Sequence, residues 1–363
     1  MSSRGSSIIS PEGLFKDGKR NKIIAIAIIF LLCLVVAFLS LIVGPSSLSP
    51  IDALRALLGQ GEATDIRIVT QIRLPRILAG LLAGASLSLA GLLMQTCLGN
   101  IMASPSTLGV TNAAVFGANV SIIIVAGGSY DTGNNAQQIA GAINPFLASS
   151  LALVFAIISI LAVLGLSTIR RFSPNVVVLA GIAIGAVWTG LTTLVQFFST
   201  DIGLSAAVIW SFGDLGRATY ADCAIMAISL LVCGVFFFVF SWRYNALLGG
   251  EAYAKSLGVH VGALRFVTLL LASLLTAVSI SRIGLIGFIG IICPHAMRRI
   301  LGANHKYLIP ASILSGSLLL LLSDTIARAC AGGASVPVGA VTSLIGAPFF
   351  LYLIFAKKEV GHA

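Results

Sequence analysis

Long runs without a charged side chain dominate this chain and set its architecture before any single motif does. Uncharged stretches cover residues 23–51, 77–130, 132–169, 172–200, 223–242, 266–281, 283–297, 307–323 and 329–356. A bilayer core is about 30 Å thick, so a helix crosses it with roughly 20 apolar residues. The run 77–130 is too long for one crossing and must turn back once. Ser104 and Pro105, in the polar segment 99–107, favour a turn there. The pattern therefore predicts ten spans, near residues 23–43, 77–97, 107–126, 146–168, 176–198, 221–241, 264–281, 283–300, 307–323 and 338–356. Three are short, but Arg265, Arg282 and Arg298 at their ends can reach outward to the interface. The expected fold is an all-α polytopic membrane protein. Residues 1–22 read as an N-terminal tail, 23–356 as the transmembrane domain and 357–363 as a C-terminal tail. An even number of crossings places both tails on one side.

Composition turns this pattern into an exclusion. Of 363 residues 58% are hydrophobic and only 9% are charged, against about 25% charged in an average soluble protein. A soluble enzyme or a disordered regulator cannot be covered with so few polar groups. With the N-terminus inside, fifteen Lys and Arg fall on inner segments and seven on outer ones, which together make the 22 of the sequence. That asymmetry agrees with the positive-inside rule and makes both tails cytoplasmic. The net charge of +10 then reflects attraction to anionic lipid, with no nucleic acid required. The first apolar run, 23–43, exceeds the roughly 7–15 residues of a signal-peptide core, and no small-residue cleavage motif follows it. It is read as a retained span.

Few side chains carry chemistry. The six cysteines (33, 97, 223, 233, 293 and 330) form no Cys-x-x-Cys pair and read as small buried hydrophobes. His295 and His305 lack a metal-ligand pattern around them, so no metal and no cofactor is expected. The acidic residues all sit at span ends or in loops. The deep polar residues are instead Gln95, Gln196 and Asn119, which argues against a proton-coupled carrier but leaves sodium binding by backbone carbonyls open. Residues 13–20, Gly-Leu-Phe-Lys-Asp-Gly-Lys-Arg, resemble a phosphate loop. They lack the final Ser or Thr and any preceding strand, and read as a basic tail. If the protein pumps, nucleotide hydrolysis belongs to another subunit.

Six segments are richer than plain membrane helix. Arg73-Leu74-Pro75-Arg76 places two guanidiniums one turn apart at the outer mouth of the second span, with the proline at the helix start. They serve either as interfacial anchors or as fixed charge for a partner. Gly80, Gly84 and Gly91 share one helical face, as do Gly181 and Gly185, and suit close helix packing. The inner loop 243–265 contains Leu248-Gly249-Gly250-Glu251-Ala252-Tyr253-Ala254-Lys255-Ser256-Leu257-Gly258. Its spacing predicts a short amphipathic helix capped by Gly258, either a docking surface or a simple connection. Gly284, Gly287 and Gly290 permit tight packing or bending. Asp324 and Arg328, four residues apart, can pair with each other or leave Arg328 facing a partner.

These segments, in order, resemble the FecCD-type permease family, the membrane subunits of type II ABC importers for ferric siderophores, haem and cobalamin. The resemblance spans essentially the whole chain. It runs through Arg73 to Arg76, Ala83 to Gly91 with Gln95, Asn100 to Pro105, Leu108-Gly109-Val110 and 179–183. It continues through Trp210 to Gly213, Ser256 to Val259, Gly287 to Gly290, Pro294-His295 and Ser323-Asp324 to Arg328. Pro337-Val338-Gly339 and 346–350 close it. Ile101, Asn304-His305-Lys306 and Gly250-Glu251 depart from the usual family residues. The resemblance implies a ten-span subunit paired with a second, identical copy around a translocation pathway, with no catalytic residue of its own. Two cytoplasmic ATPase subunits would dock on Gly250, Glu251, Ala252, Lys255, Ser256, Leu257 and Gly258. An external solute-binding protein would dock through Arg73, Arg76 and Arg328. Gly84, Gly91, Gln95, Gly181, Gly287 and Gly290 would line the pathway or pack its helices. The cargo implied first is a ferric siderophore, then cobalamin, haem or a metal oxyanion. The location implied is a bacterial or archaeal cytoplasmic membrane. An ion-coupled secondary transporter is the competing class.

Overall fold

A computed structural model describes residues 11–44, 46, 48–126, 144–169, 173–330 and 336–355. Residues 1–10 and the expected tail 357–363 lie outside them, and so do Arg170 and Arg171. The described chain is all helical. Its elements are α1 (Pro11–Ile42), α2 (Pro50–Leu57), α3 (Ala63–Leu98), α4 (Val110–Val125), α5 (Pro145–Thr168), α6 (Pro174–Phe197) and α7 (Asp201–Ser211). They continue with α8 (Tyr220–Val239), α9 (Ser241–Leu248), α10 (Glu251–Ser256), α11 (Val261–Ile283), α12 (Ile289–Leu301), α13 (His305–Cys330) and α14 (Val338–Phe355).

Seven of these, α1, α3, α5, α6, α8, α11 and α13, are long and apolar enough to cross a membrane. Each of the ten expected spans coincides with a helix, but three are shorter. The span expected at 283–300 contains only the 13 residues of α12, about 20 Å at 1.5 Å per residue. Residues 284–288 before it are not helical, Gly284 has φ +81°, and Phe288 has φ +67°. The apolar helix α7 has no counterpart in the sequence pattern. At the N-terminus the helix already begins at Pro11, ahead of the expected tail boundary at 22.

The core forms around α3, on which α13, α11, α12 and α8 pack. Every residue of 83–98 is buried. A helix apolar on all sides belongs in the interior of a bundle, and the small residues of α3 let its neighbours come close. A methyl group added at Gly84 would stand 2.3 Å from the Gly316 carbonyl oxygen, and one at Gly91 only 1.9 Å from that of Gly290. Van der Waals contact of this kind holds helices together where lipid removes the hydrophobic drive. By contrast α1, α6 and α8 turn most of their apolar side chains outward, for example Leu179, Ile182 and Val187 of α6.

Pro75 does not start the helix, as its place in the sequence suggests. The helix begins at Ala63, and over Ile68–Arg73 it widens to π geometry, with the Leu74 amide donating to the Val69 carbonyl. In this wide register the missing Pro75 N–H would have served Thr70. The Thr70 carbonyl accepts from the Tyr220 hydroxyl instead, so the helix runs through the proline.

Gly91→Val should lower the stability of the detergent-purified protein by about 1–3 kcal/mol or more, because backbone cannot move aside. Gly287→Ala should be nearly neutral, its nearest neighbour being 3.8 Å away. Thermal unfolding midpoints compare the two.

Candidate functional site

The two ends of α3 gather most of the polar side chains singled out in the sequence. At its first end, α1 terminates with its last carbonyls turned toward α3 and α13. A helix C-terminus leaves four carbonyls unpaired and carries partial negative charge. Two guanidiniums take this set. Arg328 Nη1 donates to Ser40 O at 3.0 Å and Val43 O at 2.6 Å, and its Nη2 reaches the Ser40 hydroxyl. Arg73 Nη1 donates to Leu41 O and, at 2.9 Å, to Ile42 O, while its Nη2 reaches Ser46 O at 2.6 Å. Arg73 is only 4% exposed. Of the Arg73–Arg76 pair placed at the outer mouth, Arg73 turns inward, and together with Arg328 it fastens α1 to α3 and α13.

Asp324 completes this end. It is fully buried and accepts from Arg328 Nε at 3.0 Å and Arg76 Nε at 2.9 Å. Of the two alternatives the sequence leaves for Asp324 and Arg328, the i,i+4 pair is formed, with Arg76 as a third member. Arg76 Nη2 lies 2.9 Å from Asp324 and 3.5 Å from Asp214, whose side chain is 37% exposed. Among the described residues, Arg76 alone of the three arginines has a carboxylate partner this open to solvent. Arg282, expected to reach outward, pairs with Asp222 at 3.0 Å.

At the opposite end of α3, three consecutive residues each hold a different neighbour. Pro294 has no N–H, so the Gly290 carbonyl of α12 loses its intrahelical donor. Gln95 Nε2 supplies one at 3.1 Å, and also lies 3.3 Å from Ile291 O. Arg298 Nη1 in turn approaches Gln95 Oε1 at 3.4 Å. Thr96 Oγ1 lies 2.9 Å from His305 Nε2 at the start of α13, and His305 Nδ1 lies 3.0 Å from Asn245 Oδ1 of α9. The Cys97 carbonyl accepts from Arg265 Nε at 2.8 Å. Arg265, expected to reach outward, is instead buried. No sequence signal separated it from an ordinary span-end arginine. Deeper in the bundle the other two deep polar residues satisfy each other, Gln196 Nε2 donating to Asn119 Oδ1 at 3.0 Å.

The short helices α9 and α10 stand on this end. Gly250 adopts φ +100° between them, and Gly258 adopts φ +80° after α10. The Gly258 amide donates to Lys255 O and the Val259 amide to Ala254 O, both at 3.0 Å. This paired C-terminal cap ends α10 where the sequence places it. Ala254 and Val259 face inward, whereas Ala252, Lys255, Ser256 and Gly258 are exposed. Leu248, Tyr253 and Leu257 are about half exposed, at 48%, 54% and 49%. Beneath them the Tyr244 hydroxyl lies 2.9 Å from Thr268 Oγ1, and burial pushes its pKa up, so it stays neutral.

Between the two ends, two breaks in helical structure meet at a cavity of about 250 Å³. The turn before α4 contributes Ser104, Pro105 and Ser106, α4 contributes Asn112, and the break before α12 contributes Gly287 and Phe288. The six residues expected to line a pathway or pack helices thus divide. Gly84, Gly91, Gly181 and Gln95 make helix contacts, Gly181 lying against the Thr107 and Leu108 backbone. Gly290 packs on Leu87 and Gly91 and also borders the cavity, and Gly287 faces it with space around it.

Comparison with known proteins agrees with this arrangement. Residues 32–356 match the FecCD transport family. A protein of Methanocaldococcus jannaschii named as an ABC transporter permease is 40% identical over 341 residues, 94% of this chain and 96% of the relative. The ferric enterobactin transport system permease protein FepD of Escherichia coli is 33% identical over 341 residues, 94% of this chain and 98% of FepD. A solved structure described as an inward-facing conformation of a metal-chelate type ABC transporter superposes with a TM-score of 0.78 at 28% identity. The match covers 92% of this chain and 99% of that one. The chain belongs to the FecCD transport family, as a multi-pass and non-catalytic permease subunit of an ABC importer.

Proposed function

We propose that the protein conducts a ferric siderophore across a bacterial or archaeal cytoplasmic membrane, driven by ATP hydrolysis on separate subunits. One observation carries this reading. Leu248, Tyr253 and Leu257 expose apolar surface on a capped helical loop that is tied into the core. A water-facing apolar patch on a rigid element suits a protein partner. In this reading α1, α3–α6, α8 and α11–α14 make ten crossings, with both termini and α10 on the cytoplasmic side. The excess of Lys and Arg on that side supports the orientation. The non-helical segment 284–288 lengthens the crossing that α12 alone is too short to make.

Two ATPase subunits dock on the assembly, one per permease copy, each contacting Gly250, Glu251, Ala252, Lys255, Ser256, Leu257 and Gly258. A second copy of this chain completes the pathway, covering apolar side chains that α6 turns outward. The solute-binding protein docks at the arginine end. There Arg76 exchanges its long contact with exposed Asp214 for a carboxylate of the partner, while Arg73 and Arg328 hold the surface in shape. The metal-chelate cargo is supported by the names of FepD and of the solved structure. ATP binding draws the ATPase subunits together, α10 follows, and the helices around the cavity repack between two arrangements.

Reconstituted alone in liposomes with an ion gradient, the permease should accumulate no ferric chelate. Adding its ATPase and binding protein should give ATP-dependent uptake, followed with radioactive iron. Gradient-driven accumulation without those partners would instead mark a secondary transporter.

Arg76→Lys keeps a cation beside the buried Asp324 but removes the fork that also reaches Asp214, so it should weaken binding-protein affinity by roughly fivefold with only a small fall in thermal midpoint. Arg73→Gln should instead lower the midpoint, because it uncaps α1. Calorimetry and thermal unfolding separate the two roles. Leu257→Asp should abolish co-purification of the ATPase subunit while leaving the permease folded.

A further inference from the structure

Arg265 has no part in the docking surface or in the arginine cluster, yet it is only 6% exposed at the foot of α11. Burying a guanidinium requires full pairing, and two of its partners belong to different elements. Its Nη2 lies 2.6 Å from Glu251 Oε1, in the first turn of α10. Its Nε donates at 2.8 Å to the carbonyl of Cys97, one residue from the end of α3. The next two residues back along α3 are Thr96, which meets His305 of α13, and Gln95, which holds the Gly290 carbonyl of α12.

Glycines flank α10 on both sides. Gly249 and Gly250 precede it and Gly258 follows, the last two at positive φ. Glycine hinges transmit force poorly, so a side-chain tie must carry it. The competing contact from Lys255 to Glu251 is long, at 3.9 Å, and exposed. A guanidinium is a planar fork that can grip two acceptors at fixed spacing, whereas an ammonium is a single point charge.

We propose that Arg265 is the strut through which α10 moves the transmembrane core, linking the Glu251 carboxylate to the Cys97 carbonyl. Displacement of α10 pulls on the end of α3, and Gln95 passes the shift to α12 and to the break at Phe288 beside the cavity. Arg265 touches neither cargo nor nucleotide and acts as a positioning residue. This inference rests on the ATP-driven reading above.

The test uses the complete importer, permease with ATPase and binding protein, in liposomes, and reads solute imported per ATP hydrolysed. Arg265→Lys and Glu251→Gln should each lower that ratio by roughly tenfold, and the double variant should fall no further, since both remove one linkage. ATP hydrolysis should persist. Swapping the charges, Glu251→Arg with Arg265→Glu, should not restore coupling, because a carboxylate at position 265 cannot donate to the Cys97 carbonyl. Restored coupling in the swap would reduce the contact to a plain ion pair and overturn the strut, as would a normal ratio in both single variants. Should the buried Arg265 variant fail to fold, judged by its thermal midpoint, Glu251→Gln decides together with co-purification of the ATPase subunit: a lowered ratio with the subunit retained supports the strut, and loss of the subunit would make Glu251 a docking contact and overturn it. Uptake by the unaltered importer that ignores ATP would overturn the ATP-driven reading itself, and that control precedes any variant.

Discussion

Inside a bilayer there is no water to take up the loose hydrogen-bonding groups of a broken or ended helix, so the protein must supply the partner itself. Much of this structure follows from that constraint. The carbonyls ending α1 receive Arg73 and Arg328. The Cys97 carbonyl at the end of α3 receives Arg265. The carbonyl that Pro294 leaves without a donor receives Gln95, and the one that Pro75 leaves receives Tyr220. Each repair is also a cross-link between elements distant in sequence. The cost of interrupting helices in lipid thereby becomes the means of assembling them.

This makes α3 the frame of the permease. Its glycines admit the backbones of α12 and α13 to direct contact, and its two ends hold the polar groups facing the two sides. The arginine end is stiff, since Asp324 is fully buried between two guanidiniums and two guanidiniums cap α1. At the opposite end α10 lies between glycines, capped and seated on buried Ala254 and Val259, with an ion pair from Glu251 to the core. A braced platform on one face and a linked helix on the other suit an ATP-driven importer. The cavity between them lies where two helices are interrupted, and interrupted helices can repack at modest cost in hydrogen bonds. Its walls are mostly apolar, with Leu87, Ile280, Leu285, Ile286 and Phe288 among them, and carry no charged group among the described residues, which accords with selectivity residing in a binding partner.

The sequence alone determined the class of solvent, the approximate place of the long apolar helices and the family. Those rest on quantities that add along the chain: hydrophobic run length, the counts of Lys and Arg, and an ordered set of motifs. The short helix α10 and its Gly258 cap were legible for the same reason, because a capped helix is a local object. The pairing of Asp324 with Arg328, four residues apart on one helix, was one of two alternatives the spacing allowed.

The tertiary structure decided what was not local. An arginine at a span end has the same sequence signature whether it reaches solvent or buries itself against another helix. Only the packing revealed that Arg73 and Arg328 cap α1 and that Arg265 joins α10 to α3. Pro75 looked like a helix start, and the π-wide turn that carries the helix past it depends on Tyr220, 150 residues away. Gly316 gave no signal, because its role is set by Gly84 across the interface. Hydrogen-bond partners and close approaches join residues far apart in the chain, and no pattern along one strand of sequence specifies them.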